Sequence, residues 1–186
     1  MSKDHPGLDL TSVNRKLPYD IALMLPDSFS NFLVRSQSDI VNINYVFEYH
    51  LGNDFQETLP EFFINRFRNT SLINAADNWS RFDYVFVPEV SKSWLSTRIY
   101  FRGAYPVYSL QVSLDLAVYK SGVPYVSTNI RESLEKSAPI ACRACSGENV
   151  LDQQQIRNDY AALLSKVYSK LDAYISDTFK EALNEK

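Results

Sequence analysis

The stretch Tyr108–Tyr119, YSLQVSLDLAVY, decides how this chain folds. Tyr108, Leu110, Val112, Leu114, Leu116 and Val118 are apolar, while Ser109, Gln111, Ser113 and Asp115 between them are polar. Only Ala117 and Tyr119 relax the rule. A period of two held this long makes a pleated ribbon with one apolar face and one wet face. At about 3.4 Å per residue it spans roughly 40 Å, so its apolar face needs a cover of similar length. Asp152–Leu183 is the one candidate. Ile156, Tyr160, Leu163, Leu164, Val167, Leu171, Tyr174, Ile175, Phe179 and Ala182 recur there by threes and fours. This predicts an amphipathic helix of about 48 Å lying across the ribbon.

Working outward, Lys120-Ser121-Gly122 is a tight turn, and Val123–Ile130 returns as the antiparallel partner of the ribbon. Asp83–Val90 and Trp94–Phe101 read as further strands, and Pro88 places an edge or a bulge in the first of them. Tyr19–Leu25 is too apolar for a solvent face and reads as a central strand. Tyr45–Leu51 alternates, and Asn53 is placed to cap the helix after it, whose stripe is Phe55, Leu59, Phe62, Phe63 and Phe67. Pro60 implies a kink in that helix, or a regular start near Thr58. Residues 27–44 read as a long excursion. Its Phe29, Phe32, Leu33 and Val34 are either tucked onto the domain or offered to a partner as an interaction surface.

The chain has 186 residues, 45% of them hydrophobic and 13% aromatic, enough for one core. We read residues 1–18 as a flexible tail and 19–186 as one domain. The expected fold is a two-layer α+β sandwich: a mostly antiparallel sheet of four to six strands, with the aromatic helix and the long C-terminal helix on one face. Five glycines leave no phosphate-binding loop. A net charge of −3 without a basic face argues against nucleic acid. No apolar run reaches the ~18 residues that cross a bilayer. The opening residues have no signal core, so either the chain is cytosolic from Met1 or Met1 stands in place of an export signal.

Cys142-Arg143-Ala144-Cys145 is the feature with most chemical bite. Zinc would need two more ligands, and only His5 and His50 exist. A thiol-redox couple wants the pair at a helix start directly after a strand, and here it falls in a polar connection. A local disulfide, if the protein is exported, and two free thiols remain. Glu48, Glu89 and Asp115 sit on strands without a visible point of convergence, and no triad motif accompanies either histidine. The Tyr45–Tyr49 strand and the Tyr100–Tyr108 run are candidates for a subunit contact. No catalytic residue, cofactor or metal is assigned.

The segments LPYDIALMLPDSF (17–29), YVFEYHLGNDFQETLPEFFINRF (45–67) and DYVFVPEV, which leads into the paired strands, carry a resemblance. Their order resembles that of small bacterial cell-envelope lipoproteins, such as the ring-forming subunit of exopolysaccharide export and the lipoprotein partner of the lipopolysaccharide translocon. The resemblance implies a two-layer α/β domain, export to the periplasm, outer-membrane association through a lipid on an N-terminal cysteine, and a scaffolding role without catalysis. No cysteine stands near this N-terminus, so the implied anchor is one lost with an upstream segment. The expected function is thus a non-enzymatic assembly module with an envelope protein or a second copy as partner. Two alternatives stay open: a helix-grip binder of a small apolar ligand, with aromatic side chains lining a cavity under the helix, and a thiol-redox protein using Cys142 and Cys145.

Overall fold

A computed structural model describes residues 16–37, 46–75, 77–98, 107–137, 141–142, 149–150 and 153–180. The strands are β1 (Leu17–Met24), β2 (Val34–Gln37), β3 (Val46–Tyr49), β4 (Phe67–Ile73), β5 (Tyr84–Val90), β6 (Trp94–Arg98), β7 (Val107–Lys120), β8 (Val123–Ser137), β9 (Ala141–Cys142) and β10 (Asn149–Val150). The helices are α1 (Asp27–Ser30), α2 (Leu51–Arg66) and α3 (Gln153–Thr178). Leu17 and Pro18, expected in the tail, already belong to β1.

Six strands form one mixed sheet in the order β4-β1-β5-β7, with β6 on the same edge of β7 as β5, and β8 on the opposite edge. The pairings of β7 are antiparallel, as its alternation predicts. β1 is central as expected, and it pairs in parallel with both β4 and β5. The parallel half arises because α2 and the 74–83 loop return the chain to the same end of the sheet before each new strand begins. β2 with β3, and β9 with β10, form separate two-stranded ribbons.

Tyr108, Leu110, Val112, Leu114, Leu116 and Val118 of β7 are all buried. α3 packs over β7 and β8, and α2 over β4 and β1, so the two-layer sandwich is present with its long roof. With 26 residues, α3 is about 39 Å long, against about 48 Å for the 14 residues of β7. Its buried stripe is Ile156, Tyr160, Leu163, Leu164, Val167, Leu171, Ile175 and Phe179, joined by Tyr168, which the periodic reading left out. The opposite face of the sheet is polar. There the exception is a small cluster of Ala22, Ile73 and Val85, against which Trp79 of a single 3-10 turn packs.

Several local expectations change. α2 starts at Leu51, so Asn53 is not its cap and Pro60 lies in the helix interior. Backbone acceptors take the place of a side-chain cap: Phe32 accepts from the Gly52 N–H at 3.1 Å, and His50 from Asn53 at 3.1 Å. A Cβ on Gly52 would sit 1.8 Å from the Phe29 carbonyl oxygen, so only glycine allows this approach of α1 to α2. That approach buries Phe29 against Phe55, with ring centroids 5.9 Å apart. Phe29 and Val34 are each 2% exposed, and Phe32 and Leu33 are half-buried. Phe29 and Val34 belong to the core and Phe32 packs against it, so the four form no continuous exposed patch.

Phe67, read as helical, opens the strand β4, and β8 continues seven residues beyond Ile130 to Ser137. β5 and β6 behave as one long strand with a bulge at 91–93, across which the register on β7 slips by one residue. Lys92 there takes a φ of 46°. Ser113 of β7 donates its N–H to the Ser93 hydroxyl at 2.9 Å, and its carbonyl accepts from the Ser91 N–H at 3.1 Å. Those two bonds fix the direction of every main-chain group in the region, because N–H and C=O groups alternate sides along a strand. Odd-numbered residues of β7 address β5 and β6, so even-numbered ones address β8. On β5 the even residues then face β1, whose pairing ends at Phe86. Pro88 therefore lacks a donor at a point where no neighbour would receive it.

Candidate functional site

The main concentration of buried polar chemistry among the described residues lies where the N-terminal half of α3 meets β7 and β8. Asp159 falls three residues after Ile156 and four before Leu163, on the apolar stripe, so its carboxylate points at the sheet. Its side chain is 7% exposed. Tyr108 donates its hydroxyl to Oδ2, while Oδ1 accepts from Lys136 Nζ at 2.5 Å and Gln155 Nε2 at 3.2 Å. Burial alone would raise this carboxyl, but the bonds from Lys136, Tyr108 and Gln155 and the charge of Lys136 outweigh it. Asp159 is held below the usual carboxylate range.

Beside it, Tyr160 donates to the Trp94 carbonyl at 3.3 Å and stacks on Tyr49, with ring planes 8° apart and centroids at 4.5 Å. Tyr49 in turn donates to Asp54 of α2. Burial pushes the phenols of Tyr49 and Tyr160 up, so both are neutral donors at any physiological pH. Further along α3, Thr58 and Tyr168 share a hydrogen bond of 2.5 Å, and the buried Arg66 pairs with Asp172 while its guanidinium lies 3.9 Å from the centre of the Phe62 ring.

These groups tie α3 to its neighbours. Both Asp159 oxygens accept from donors, and the Tyr49 hydroxyl is likewise engaged, with the Asp54 carboxylate. Among the described residues, no three His, Cys, Asp or Glu side chains gather as a metal site. Glu89 and Asp115 stand directly across from each other on β5 and β7, with Asp115 accepting from Asn129. Glu48 is on the separate β2–β3 ribbon, paired with Arg35 at 3.0 Å. The sheet therefore brings Glu89 and Asp115 together and leaves Glu48 apart. His50 is exposed at the start of α2.

Of the sequence-read sites, Cys145 and the side chain of Cys142 lie outside the described residues, as do His5, Tyr45 and the 100–106 part of the Tyr100–Tyr108 run. Tyr108 itself is a core residue at 1% exposure. No described helix is long and apolar enough to cross a membrane. Asp159 was missed by the sequence reading although a signal existed: an acid on an otherwise apolar stripe must find donors in the layer it faces.

No protein-family model matches the chain, and no curated protein matches it. Solved structures do. Protein XCC0632 from Xanthomonas campestris, of the family model DUF330, superposes with a TM-score of 0.56 over 94% of this chain and 95% of that one, at 9% identity. A minor lipoprotein from Acinetobacter baumannii gives 0.44 over 88% and 95%, at 13% identity, and lipoprotein GNA1162 from Neisseria meningitidis gives 0.31 over 81% and 99%, at 12% identity. The first of these likenesses shows a shared fold.

Proposed function

We propose that this chain is a non-enzymatic protein-interaction module of the bacterial cell envelope, set at the outer membrane from the periplasmic side by a lipid on a cysteine upstream of Ser2. The observation that carries the reading is the near-complete overlap with the DUF330 protein, 94% of one chain on 95% of the other. It agrees with the sequence-level resemblance to exopolysaccharide-export and lipopolysaccharide-translocon lipoproteins. The polar groups speak for the same role, since the buried acid, phenols and guanidinium are engaged with one another across the layers. The interior also favours a scaffold over an apolar-ligand binder. Phe55, Phe62, Phe63, Phe86, Tyr160 and Leu171 fill the space under the helices and are all fully buried.

Envelope fractionation of cells expressing the natural gene, with labelled palmitate, tests this reading. It predicts a labelled protein in the outer-membrane fraction. An unlabelled protein in the cytosol overturns it.

A further inference from the structure

Among the described residues β8 is an outermost strand of the main sheet, and its edge away from β7 is long and carries no paired strand. The directions derived above leave the odd-numbered residues of β8 with N–H and C=O groups pointing away from β7, because Ser113, opposite Arg131, spends both of its groups on Ser91 and Ser93. Asn129, Arg131, Ser133 and Glu135 thus present a row of main-chain donors and acceptors that no described strand pairs with. One of them is covered: Lys170 Nζ of α3 donates to the Arg131 carbonyl at 3.2 Å and also pairs with Glu132 at 2.6 Å. A flat edge of this length is a template for another strand unless it is blocked. The blocks here stand at the hairpin end, where Pro124 lacks a donor and the register shifts beside Tyr119. From Ser127 to Ser137 the Lys170 contact at the Arg131 carbonyl is the one obstruction among the described residues.

We propose that this edge is a self-association surface, and that two copies of the chain join β8 to β8 in antiparallel fashion, continuing the sheet across a two-fold axis at Ser133. The charges select the second copy and the register. Only odd residues can exchange main-chain bonds across the edge, so they must oppose one another. An axis at Ser133 sets Arg131 against Glu135 of the other copy, twice over, with Asn129 opposite Ser137. Arg131 is exposed and its guanidinium has no partner among the described residues, where Glu135 accepts a 3.2 Å bond from Ser109. An axis at Arg131 or at Glu132 would set like charges face to face. One at Leu134 would pair Glu132 with Lys136, which α3 already engages through Lys170 and Asp159, and it shortens the overlap.

On association Lys170 keeps Glu132 and gives up one carbonyl, which a main-chain donor then takes. The contact is isologous, as a two-fold dimer requires. This inference names the partner surface for the interaction module proposed above, yet it holds in whichever compartment the protein works.

Sedimentation equilibrium of the full chain over a wide concentration range reads it. The wild type is expected to pass from monomer to dimer as concentration rises. Ser133→Pro is expected to abolish the dimer while leaving the circular dichroism spectrum and melting curve unchanged, because the N–H it removes faces away from β7. Arg131→Glu and Glu135→Arg should each weaken the dimer roughly tenfold or more, and the double swap Arg131→Glu/Glu135→Arg should restore it. A wild type that stays monomeric at the highest concentration, a dimer untouched by Ser133→Pro, or a double swap no better than its parents overturns the proposal. Envelope fractionation is blind to all three outcomes, so failure here is distinct from failure of the envelope reading.

Discussion

The two ends of α3 are held to the same sheet by different physics. Near its start, Asp159 is locked by Tyr108, Lys136 and Gln155, a directional contact that depends on charge. At its far end, Phe179 fits among Tyr84, Tyr19, Phe67 and Phe86, with ring centroids at 4.8, 5.5, 5.9 and 6.2 Å. The aromatic end supplies burial without orientation. The ionic end sets which turn of the helix sits over which residue of β7, because a carboxylate on an apolar stripe is tolerated only where its donors wait. Apolar area roofs the sheet, and one buried acid fixes the register of the roof.

Removing the aromatic end gives the largest expected effect. Phe179→Ala should cost about 3–4 kcal/mol in urea unfolding, from lost burial and the cavity left behind, and the cost should be the same at pH 7 and pH 3. Asp159→Asn should cost about 2 kcal/mol at pH 7, the scale of charge-assisted bonds with a partly exposed partner. Its pH dependence separates the two ends. The Asp159 carboxyl is depressed in the folded state, so its contribution is present above the unfolded value of about 3.9 and is lost as pH falls through the folded value. The gap between wild type and Asp159→Asn should therefore close below about pH 4, whereas the Phe179→Ala gap should not. Midway along the helix, Tyr168→Phe should cost about 1 kcal/mol, since Thr58 keeps its 2.6 Å bond to the Asp54 carbonyl. Lys170→Ala, at a half-exposed pair, should cost under about 0.5 kcal/mol and should fade in high salt.

Much of this architecture was legible because single periodicities ran long. The alternation of β7 and the stripe of α3 each repeat often enough that no competing pattern survives, and together they define the sandwich. What escaped notice was written in polar residues. β4, FRNTSLI, carries a strand with few apolar positions because it lies at the sheet edge, where only Phe67 and Ile73 are buried. β8 looked finished at Ile130 because Glu132 and Lys136 break the apolar alternation. They still face the helix side, and each is balanced by an opposite charge from α3, Lys170 and Asp159. Ser113, read as a solvent-facing residue, is 0% exposed because the bulge at 91–93 folds Ser91 and Ser93 over it. The parallel pairing of β1 left no local trace, since pairing direction is set by where α2 and the 74–83 loop return the chain. In the candidate site, the aromatic partners of α3 could be named in advance as core, whereas the donors to Asp159 could not. Gln155 stands one turn earlier on α3, but Tyr108 and Lys136 come from two strands far away in sequence.

The central claim is that β8 closes the sheet on one side, beneath α3, and leaves it open on the other. Amide hydrogen exchange along β8 tests this most directly, read residue by residue in dilute protein. We predict slow exchange at Ile130, Glu132 and Leu134, whose N–H groups address β7, and fast exchange at Asn129, Arg131 and Ser133, whose protection should rise with protein concentration. Equal protection of the two sets in dilute solution would contradict it, because β8 would then have a neighbour on both edges within a single chain.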